Sequence, residues 1–258
     1  MNNIDFANKC KNVALNYSTL YVYSCFGAPL NATNRKRYSN NCDYNKRADR
    51  RNKILSSSAN DFGFDCVNLI KGILWGWNGD KNKNYGGAVY KSNGVPDTSA
   101  NGMMNYCTSS SSDFSKIEVG EVVWMDGHIG VYIGDGLAVE CTPIWKDGVQ
   151  ITAVGNIGKK SGYNTRTWTK HGKLKFIEYK NTTPSSSFLP PRGYFKKGDT
   201  GENIEKIDEW FSSKVKGDLF GDYTEACVKT FQRQNGLEQD GCIGPITLSK
   251  MKEKGFNE

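Results

Sequence analysis

The chain has 258 residues, of which 37% are hydrophobic and 24% are charged, a balance typical of globular proteins and not of disordered ones. That length allows one medium-sized domain and one small domain. No run of about 18 apolar residues is present, which excludes a transmembrane helix. The start of the sequence lacks the basic head and apolar core of a secretory signal, so we expect a protein made in a cytoplasm.

The first predicted element is an amphipathic helix that ends near Ser18. Its apolar residues recur at helical spacing: Phe6, Cys10, Val13, Ala14 and Tyr17. The segment that follows, residues 19–30, carries aromatic residues, among them Tyr21.

A basic stretch, residues 31–53, carries nearly all of the formal net charge of +7. It holds eight basic residues against two acidic ones: Arg35, Lys36, Arg37, Lys46, Arg47, Arg50, Arg51 and Lys53 against Asp43 and Asp49. We interpret it as a loop that is either plainly solvated or bound to a polyanion, with anionic wall polymers as the candidate partner. Aromatic residues suited to base stacking are few, so no nucleic-acid partner is expected. Membrane insertion is not expected either, and we predict a monomer.

The most informative stretch is Asp61–Trp77, where a turn-rich lead-in is followed by apolar residues at helical spacing from Cys66 onward. Cys66 then lies in the first turn of a helix, where free backbone N–H groups and the helix dipole favour a negative charge. This position predicts a lowered thiol pKa and a nucleophile. The alternative is a small apolar residue that closes the buried end of the helix. Asp65 is predicted to cap the helix or shape the turn.

Beyond this helix, residues 78–115 are rich in Asn, Gly, Ser and Lys and are predicted as loops, with an exposed low-complexity run at 109–112. A β-pattern follows in five segments: 121–125, 128–133, 137–142, 149–154 and 173–179. Helices first and an antiparallel sheet afterwards predict the α+β class.

His128 and His171 are the two histidines of the chain. His171 lies in a polar Lys-His-Gly-Lys context typical of an exposed turn, so His128 is the predicted general base. The eight cysteines show no Cys-x-x-Cys spacing, and with so few histidines no metal site is predicted. We expect reduced thiols and no cofactor.

Glu140 is the predicted partner of His128, and the hairpin at Gly134-Asp135-Gly136 determines whether it can reach. With a three-residue loop, the numbers of facing residues sum to 270, and Glu140 lies diagonally across from His128 on the same face. With a two-residue turn at Asp135-Gly136 the sum is 271 and Glu140 points to the other face. Either loop suits the sequence, and an ordinary edge-strand glutamate remains the alternative.

From residue 181 the composition changes. Residues 181–192 are rich in Pro and Ser and predict a linker between a domain at 1–180 and another at 193–258. In the second domain, Leu219-Phe220-Gly221 recurs 23 residues later as Cys242-Ile243-Gly244, each time with a Thr and a helical pattern behind it.

The stretch around Cys66 and the segment Gly120–Gly136 together resemble the NlpC/P60 superfamily of cell-wall cysteine peptidases. The match falls on Asp65, Cys66, Gly120, His128, Gly130, Tyr132 and Gly134. The chain departs from the family pattern at Val67 and Glu121, which replace no reacting atom, and at Glu140, where the family most often has His.

The resemblance implies a papain-like α+β domain in which Cys66 attacks an amide of the peptidoglycan stem peptide and His128 moves the proton. Glu140 would orient the imidazole, and backbone N–H groups at the start of the Cys66 helix would hold the oxyanion. Tyr21 matches the family tyrosine that borders the nucleophile, with core packing as the alternative. Trp124 is one of several tryptophans that could line a substrate groove, with core packing as the alternative.

Residues 193–255 resemble the peptidoglycan-binding type 1 module, a small three-helix domain. With the missing secretory signal, this pairing implies a bacteriophage endolysin that reaches the wall after release. An N-acetylmuramoyl-L-alanine amidase on the same fold, a non-catalytic wall-binding protein and a transglutaminase-like acyl transferase remain the alternatives.

Overall fold

The computed structural model describes residues 1–179, 188–190, 193–212 and 217–257. The chain divides into two compact units, Met1–Lys180 and Asn181–Glu258, which we call unit 1 and unit 2. Apart from residues 188–190, the predicted linker lies outside the described residues. Within the described ranges, no helix is long and apolar enough to cross a membrane.

Unit 1 is α+β, as predicted. Its helices are α1 (Asn3–Asn16), α2 (Ala32–Tyr38), α3 (Asp43–Lys46), α4 (Ala48–Ser56), α5 (Cys66–Leu74) and α6 (Ala100–Met104). Its strands are β1 (Thr19–Tyr21), β2 (Phe26–Pro29), β3 (Phe62–Phe64), β4 (Cys107–Ser111), β5 (Val122–Met125), β6 (His128–Gly134), β7 (Leu137–Thr142), β8 (Gly148–Val154), β9 (Thr165–Arg166) and β10 (Lys170–Leu174). They form a three-stranded sheet of order β1-β3-β2 and a seven-stranded sheet of order β4-β10-β5-β6-β7-β8-β9.

The central helix α5 begins at Cys66 because Asp65 caps it, and it runs through an apolar stretch in which every residue is buried. It packs against α1, β2, β6 and β7. Its apolar residues belong to the main core of unit 1, and its two polar ones are buried with partners, Asn68 with Asp65 and Lys71 with Asp97.

The large sheet has two different faces because successive side chains of a strand point in opposite directions. One face, with Ile129, Val131 and Val139, belongs to the main core under α5. The other face carries a smaller apolar cluster: Phe114, Val123, Tyr132, Ala138, Val154 and Trp168. His128 and Glu140 alternate with the main-core residues and therefore share this second face.

Two sequence predictions for unit 1 are wrong. The basic stretch 31–53 forms α2, α3 and most of α4, not a loop, and it is anchored by buried Arg50, which pairs with Asp147. The last strand covers 170–174 and not 173–179; after Leu174 the chain turns, and Ile177 returns to the core. The low-complexity serines are largely exposed, as predicted, and most of them lie in the edge strand β4, which is held by backbone bonds to β10.

Unit 2 contains the helices α7 (Glu202–Phe211), α8 (Asp222–Gln234) and α9 (Pro245–Glu253) around an apolar core of its own. The repeated glycines Gly221 and Gly244 are the N-cap residues of α8 and α9. The repeated threonines are buried at equivalent places: Thr224 donates to Asp208, and Thr247 accepts from Gln232. The sequence repeat is therefore a repeat of helix starts.

Candidate active site

The β6–β7 hairpin combines features of both predicted loops. Asp135 and Gly136 have φ of 54° and 70°, as in a two-residue hairpin turn, and Gly134 pairs with Leu137. An irregularity between Tyr132 and Gly134 then shifts the register, so that Gly130 faces Glu140. Residue numbers along the body of the hairpin therefore sum to 270, which places Glu140 on the face of His128.

Glu140 lies directly against His128. The distance between His128 Nε2 and Glu140 Oε2 is 2.7 Å, and Glu140 is fully buried. Thr152 Oγ1 donates to Oε1 at 2.7 Å, and Arg166 Nε donates to both carboxylate oxygens at 2.9 and 2.7 Å. Burial acts to raise the pKa of Glu140, but the hydrogen bonds from His128 and Arg166 outweigh it and hold that pKa below the ordinary value. Glu140 is therefore a buried anion.

This contact fixes the tautomer of His128. An ionised carboxylate only accepts, so Nε2 carries a proton, and in the neutral ring Nδ1 is the nitrogen with the lone pair. The ring is also held flat, because it stacks on Trp168 at 5.5 Å between centroids with an interplanar angle of 7°. Nδ1 is thus the nitrogen of His128 that can accept a proton.

Arg166 was missed by the sequence reasoning. It lies on the short strand β9, and its guanidinium sits over the rings of Trp145 and Trp168 at 5.0 and 5.6 Å. Nothing in the sequence around position 166 marks it, because β9 reaches Glu140 only through pairing with β8.

Cys66 lies at the start of α5 with 7% of its surface exposed. Backbone N–H groups of Ile129 and Val67 lie close enough to its sulphur to lower the thiol pKa. Burial, followed by the charge of Asp65, acts the other way and raises the pKa of Cys66 to about 12. The lowered pKa predicted from the helix start is therefore wrong, because burial outweighs the helix N–H groups, and the thiol is neutral at rest.

Asp65 caps α5. Its Oδ1 accepts from the backbone N–H of Asn68 at 2.8 Å, and its Oδ2 accepts from Asn68 Nδ2 at 2.7 Å and from the N–H of Ser24 at 2.8 Å. Ser24 has a φ of 63°, so this bond also fixes a tight turn between β1 and β2. Asp65 therefore joins the start of α5 to the segment that follows Tyr21.

Tyr21 and Trp124 occupy different surroundings. Tyr21 is buried on β1, and the charges of Asp65 and Cys66 contribute to raising its pKa after burial, which places it beside the thiol. Trp124 is half-buried on β5 and donates to Asn101 at 3.1 Å. Of the two, Tyr21 is the one whose electrostatic surroundings include Cys66.

His171 is not in an exposed turn. It lies buried on β10, hydrogen bonded through Nδ1 to Glu121 and through Nε2 to the backbone carbonyl of Asp113. The polar neighbours of His171 suggested exposure, but its strand is covered by Phe114, which packs on its ring at 5.0 Å. Both nitrogens are engaged, so His171 has no nitrogen left for a thiol.

The structure brings His128 and Glu140 together, and it places the thiol of Cys66 near the backbone N–H of Ile129, the residue after His128. Among the contacts of the described residues, none joins the side chains of Cys66 and His128. Cys66 is not in a disulfide. In the part of the chain that the structure describes, no group of acidic, cysteine or histidine residues could hold a metal ion.

Residues 206–251 match the family model described as "Putative peptidoglycan binding domain". The chain carries a peptidoglycan-binding domain. These residues run from α7 to α9 of unit 2 and include both helix starts of the repeat. The match supports a cell-wall-binding module in unit 2.

No match was found among curated protein sequences. Among solved structures, the chain is similar to a periplasmic domain of the EpsAB fusion protein of the Vibrio vulnificus type II secretion system, at 18% identity. The alignment covers 50% of this chain and 53% of that one, so the chain spans about half of its length. The TM-score is 0.22, too low for the likeness to bear on fold or function.

Proposed function

We propose that the chain is a peptidoglycan hydrolase in which unit 1 cleaves an amide bond of the stem peptide and unit 2 holds the enzyme on the wall. The observation that carries the proposal is the buried contact between Glu140 and His128 at 2.7 Å, one residue along β6 from the N–H of Ile129 that faces Cys66. The resemblance to the NlpC/P60 superfamily at the same residues supports it.

The proposed chemistry begins with a neutral thiol. His128 Nδ1 accepts the proton of Cys66 as the sulphur attacks the amide carbonyl carbon, and the imidazolium is stabilised by Glu140. Backbone N–H groups at the start of α5 hold the resulting oxyanion. As the C–N bond breaks, His128 returns the proton to the leaving amine, and a thioester remains on Cys66. Water, activated by His128, then hydrolyses the thioester and restores the thiol.

Unit 2 gives the reaction its location. Its peptidoglycan-binding domain would raise the local concentration of unit 1 at the polymer, since two linked sites act as one binding event. The proposal includes an endolysin-like role, in which the enzyme is made in the cytoplasm and acts on the wall after release.

A second candidate is a wall-binding protein without catalytic activity. The observation that favours it is the state of Cys66, whose thiol is buried and has a pKa raised to about 12. Such a cysteine also suits a purely structural role at the start of α5.

The products released from purified Gram-positive cell walls separate these candidates. Mass spectrometry should find fragments with newly freed amino and carboxyl ends inside the stem peptide. Whole stem peptides freed from intact glycan would instead identify an N-acetylmuramoyl-L-alanine amidase. Binding to walls with no released fragment at any pH would leave the non-catalytic candidate.

A further inference from the structure

Glu140, His128 and Arg166 form a chain of alternating charge on the second face of the large sheet. Glu140 is completely buried, and the exposed fractions of the His128 and Arg166 side chains are 16% and 13%. A carboxylate removed from water in this way is costly unless cations or hydrogen bonds surround it. Arg166 supplies two of the close contacts to its oxygens, so Arg166 is the principal partner of the anion.

The position of Arg166 is held from several sides. Two tryptophan rings flank the guanidinium, and Nη1 lies 3.9 Å from the sulphur of Met125. Nη2 is buried and has no hydrogen-bond partner among the described residues. A buried donor without a partner reduces stability, so a role in stability alone does not account for an arginine here.

The charge of Arg166 matters for what His128 can do. A buried carboxylate with no other cation strongly favours the protonated form of a neighbouring histidine. His128 would then carry protons on both nitrogens and could not accept one from a thiol. Because Cys66 is a neutral thiol at rest, the proposed reaction needs a neutral imidazole.

Arg166 changes that balance. Its positive charge already neutralises Glu140. The carboxylate can therefore accept the Nε2–H of His128 without requiring a positive charge on the imidazole as well. We infer that Arg166 is a positioning residue that sets the charge balance of the buried Glu140–His128 pair. This inference rests on the proposed function for its biological meaning, but not for its test.

The charged groups around His128 come from several elements. Glu140 approaches from β7 and Arg166 from β9, while Cys66 lies at the start of α5 near the backbone N–H of Ile129. Asp126, in the turn before β6, is engaged by Asn101. Among the described contacts, Arg166 is therefore the cation that binds Glu140, the partner of His128.

The test is a histidine titration by NMR on the full chain, which has two histidines and so gives two ring signals to assign. Removing a charge this close should move the His128 midpoint in Arg166→Gln to higher pH by about one unit or more. Arg166→Lys keeps the charge and should titrate within a few tenths of a unit of wild type. Arg51→Gln removes an exposed arginine of α4 and is the matched control. His171 serves as an internal reference.

A second pair of variants provides the test if Arg166→Gln alone does not fold. Glu140→Gln leaves the Arg166 cation near His128 without an anion, and Glu140→Gln combined with Arg166→Gln removes both charges. The His128 midpoint should be higher in the double variant than in Glu140→Gln. Equal midpoints in that pair, or an unshifted midpoint in Arg166→Gln, would overturn the inference.

Wall clearing adds the functional readout. In Arg166→Gln, the acidic limb of the pH profile should move upward together with the NMR midpoint, and Arg166→Lys should restore it. If Arg166→Gln clears walls more slowly but the acidic limb of its pH profile does not move, Arg166 has a structural role only. The titration needs no substrate, so it remains decisive for Arg166 even if the wild type releases no wall fragments and the proposed hydrolase activity is absent.

Discussion

Cys66 is placed like a nucleophile but is not ionised like one. The helix start and the N–H of Ile129 favour a thiolate, while burial and the charge of Asp65 oppose it and raise the pKa of the thiol to about 12. Under the proposed mechanism, proton transfer to His128 then accompanies attack on the substrate. A reactive thiolate would not be present before substrate binds.

Iodoacetamide labelling of the full chain tests this state. With that pKa the thiolate fraction at pH 7 is on the order of 10⁻⁵, so Cys66 should label slowly, at a rate that rises about tenfold per pH unit up to pH 10. Peptide mapping by mass spectrometry resolves Cys66 from half-exposed Cys42, which serves as the reference. A labelling rate for Cys66 that levels off below pH 8 would show a preformed thiolate.

Glu140 should contribute to stability as well as to the site. Glu140→Gln leaves buried Arg166 without its anion, and we expect the free energy of unfolding to fall by about 3 kcal/mol. Glu118→Gln makes the same chemical change at a more exposed ion pair with Lys173 and should cost less than about 1 kcal/mol. Urea unfolding followed by tryptophan fluorescence measures both.

The pH dependence of that difference has a definite sign. Because the folded state lowers the pKa of Glu140, its stabilisation is fully present above the unfolded value and is lost as pH falls through the folded value. The gap between wild type and Glu140→Gln should therefore be constant near neutrality and shrink below about pH 4.5. A gap that grows on acidification would mean that Glu140 is neutral in the folded protein.

Single residues differ in how far the sequence predicts them. Counting along the hairpin, a local pattern, left two registers open, and the contact of Glu140 with His128 belongs to one of them. Arg166 could not be found in this way, since its role depends on β9 lying beside β8. The exposure predicted for His171 was wrong because its polar sequence neighbours do not reveal its hydrogen bond to Glu121, which is 50 positions away.

At the scale of elements, the junction at Asp65 connects the start of α5 to the β1–β2 turn. Asp65→Ala removes the acceptor for the N–H groups of Asn68 and Ser24 and should lower the free energy of unfolding by about 1–2 kcal/mol. Asp65→Asn keeps an acceptor and should cost less. It also removes the charge that raises the pKa of Cys66, so Cys66 should label faster in Asp65→Asn than in wild type. Unchanged stability in Asp65→Ala would contradict the capping role.

Elements with a strong apolar period were predictable, and those held by partners were not. α5 and β5 to β8 follow from apolar spacing, because each buries a face in the core of unit 1. The basic stretch lacks such a period, and its helices depend on contacts such as that of Arg50 with Asp147. The loop of the β6–β7 hairpin was ambiguous in the sequence. The irregularity at Tyr132–Gly134 combines a two-residue turn with the register in which the numbers of facing residues sum to 270.

At the scale of the whole molecule, recognition and proposed catalysis belong to different units. The peptidoglycan-binding domain lies at 206–251, within unit 2, and the Cys66 and His128 pair lies in unit 1. Each unit has its own apolar core. Changes in the site of unit 1 should therefore leave wall binding intact.

The most direct test compares clearing of purified Gram-positive cell walls by wild type, Cys66→Ala and Cys42→Ala, together with co-sedimentation on the same walls. Cys42→Ala makes the same substitution at a cysteine outside the site. We predict that all three bind, that wild type and Cys42→Ala clear the walls, and that Cys66→Ala does not. Clearing by Cys66→Ala at the wild-type rate would contradict the assignment of Cys66 as the nucleophile.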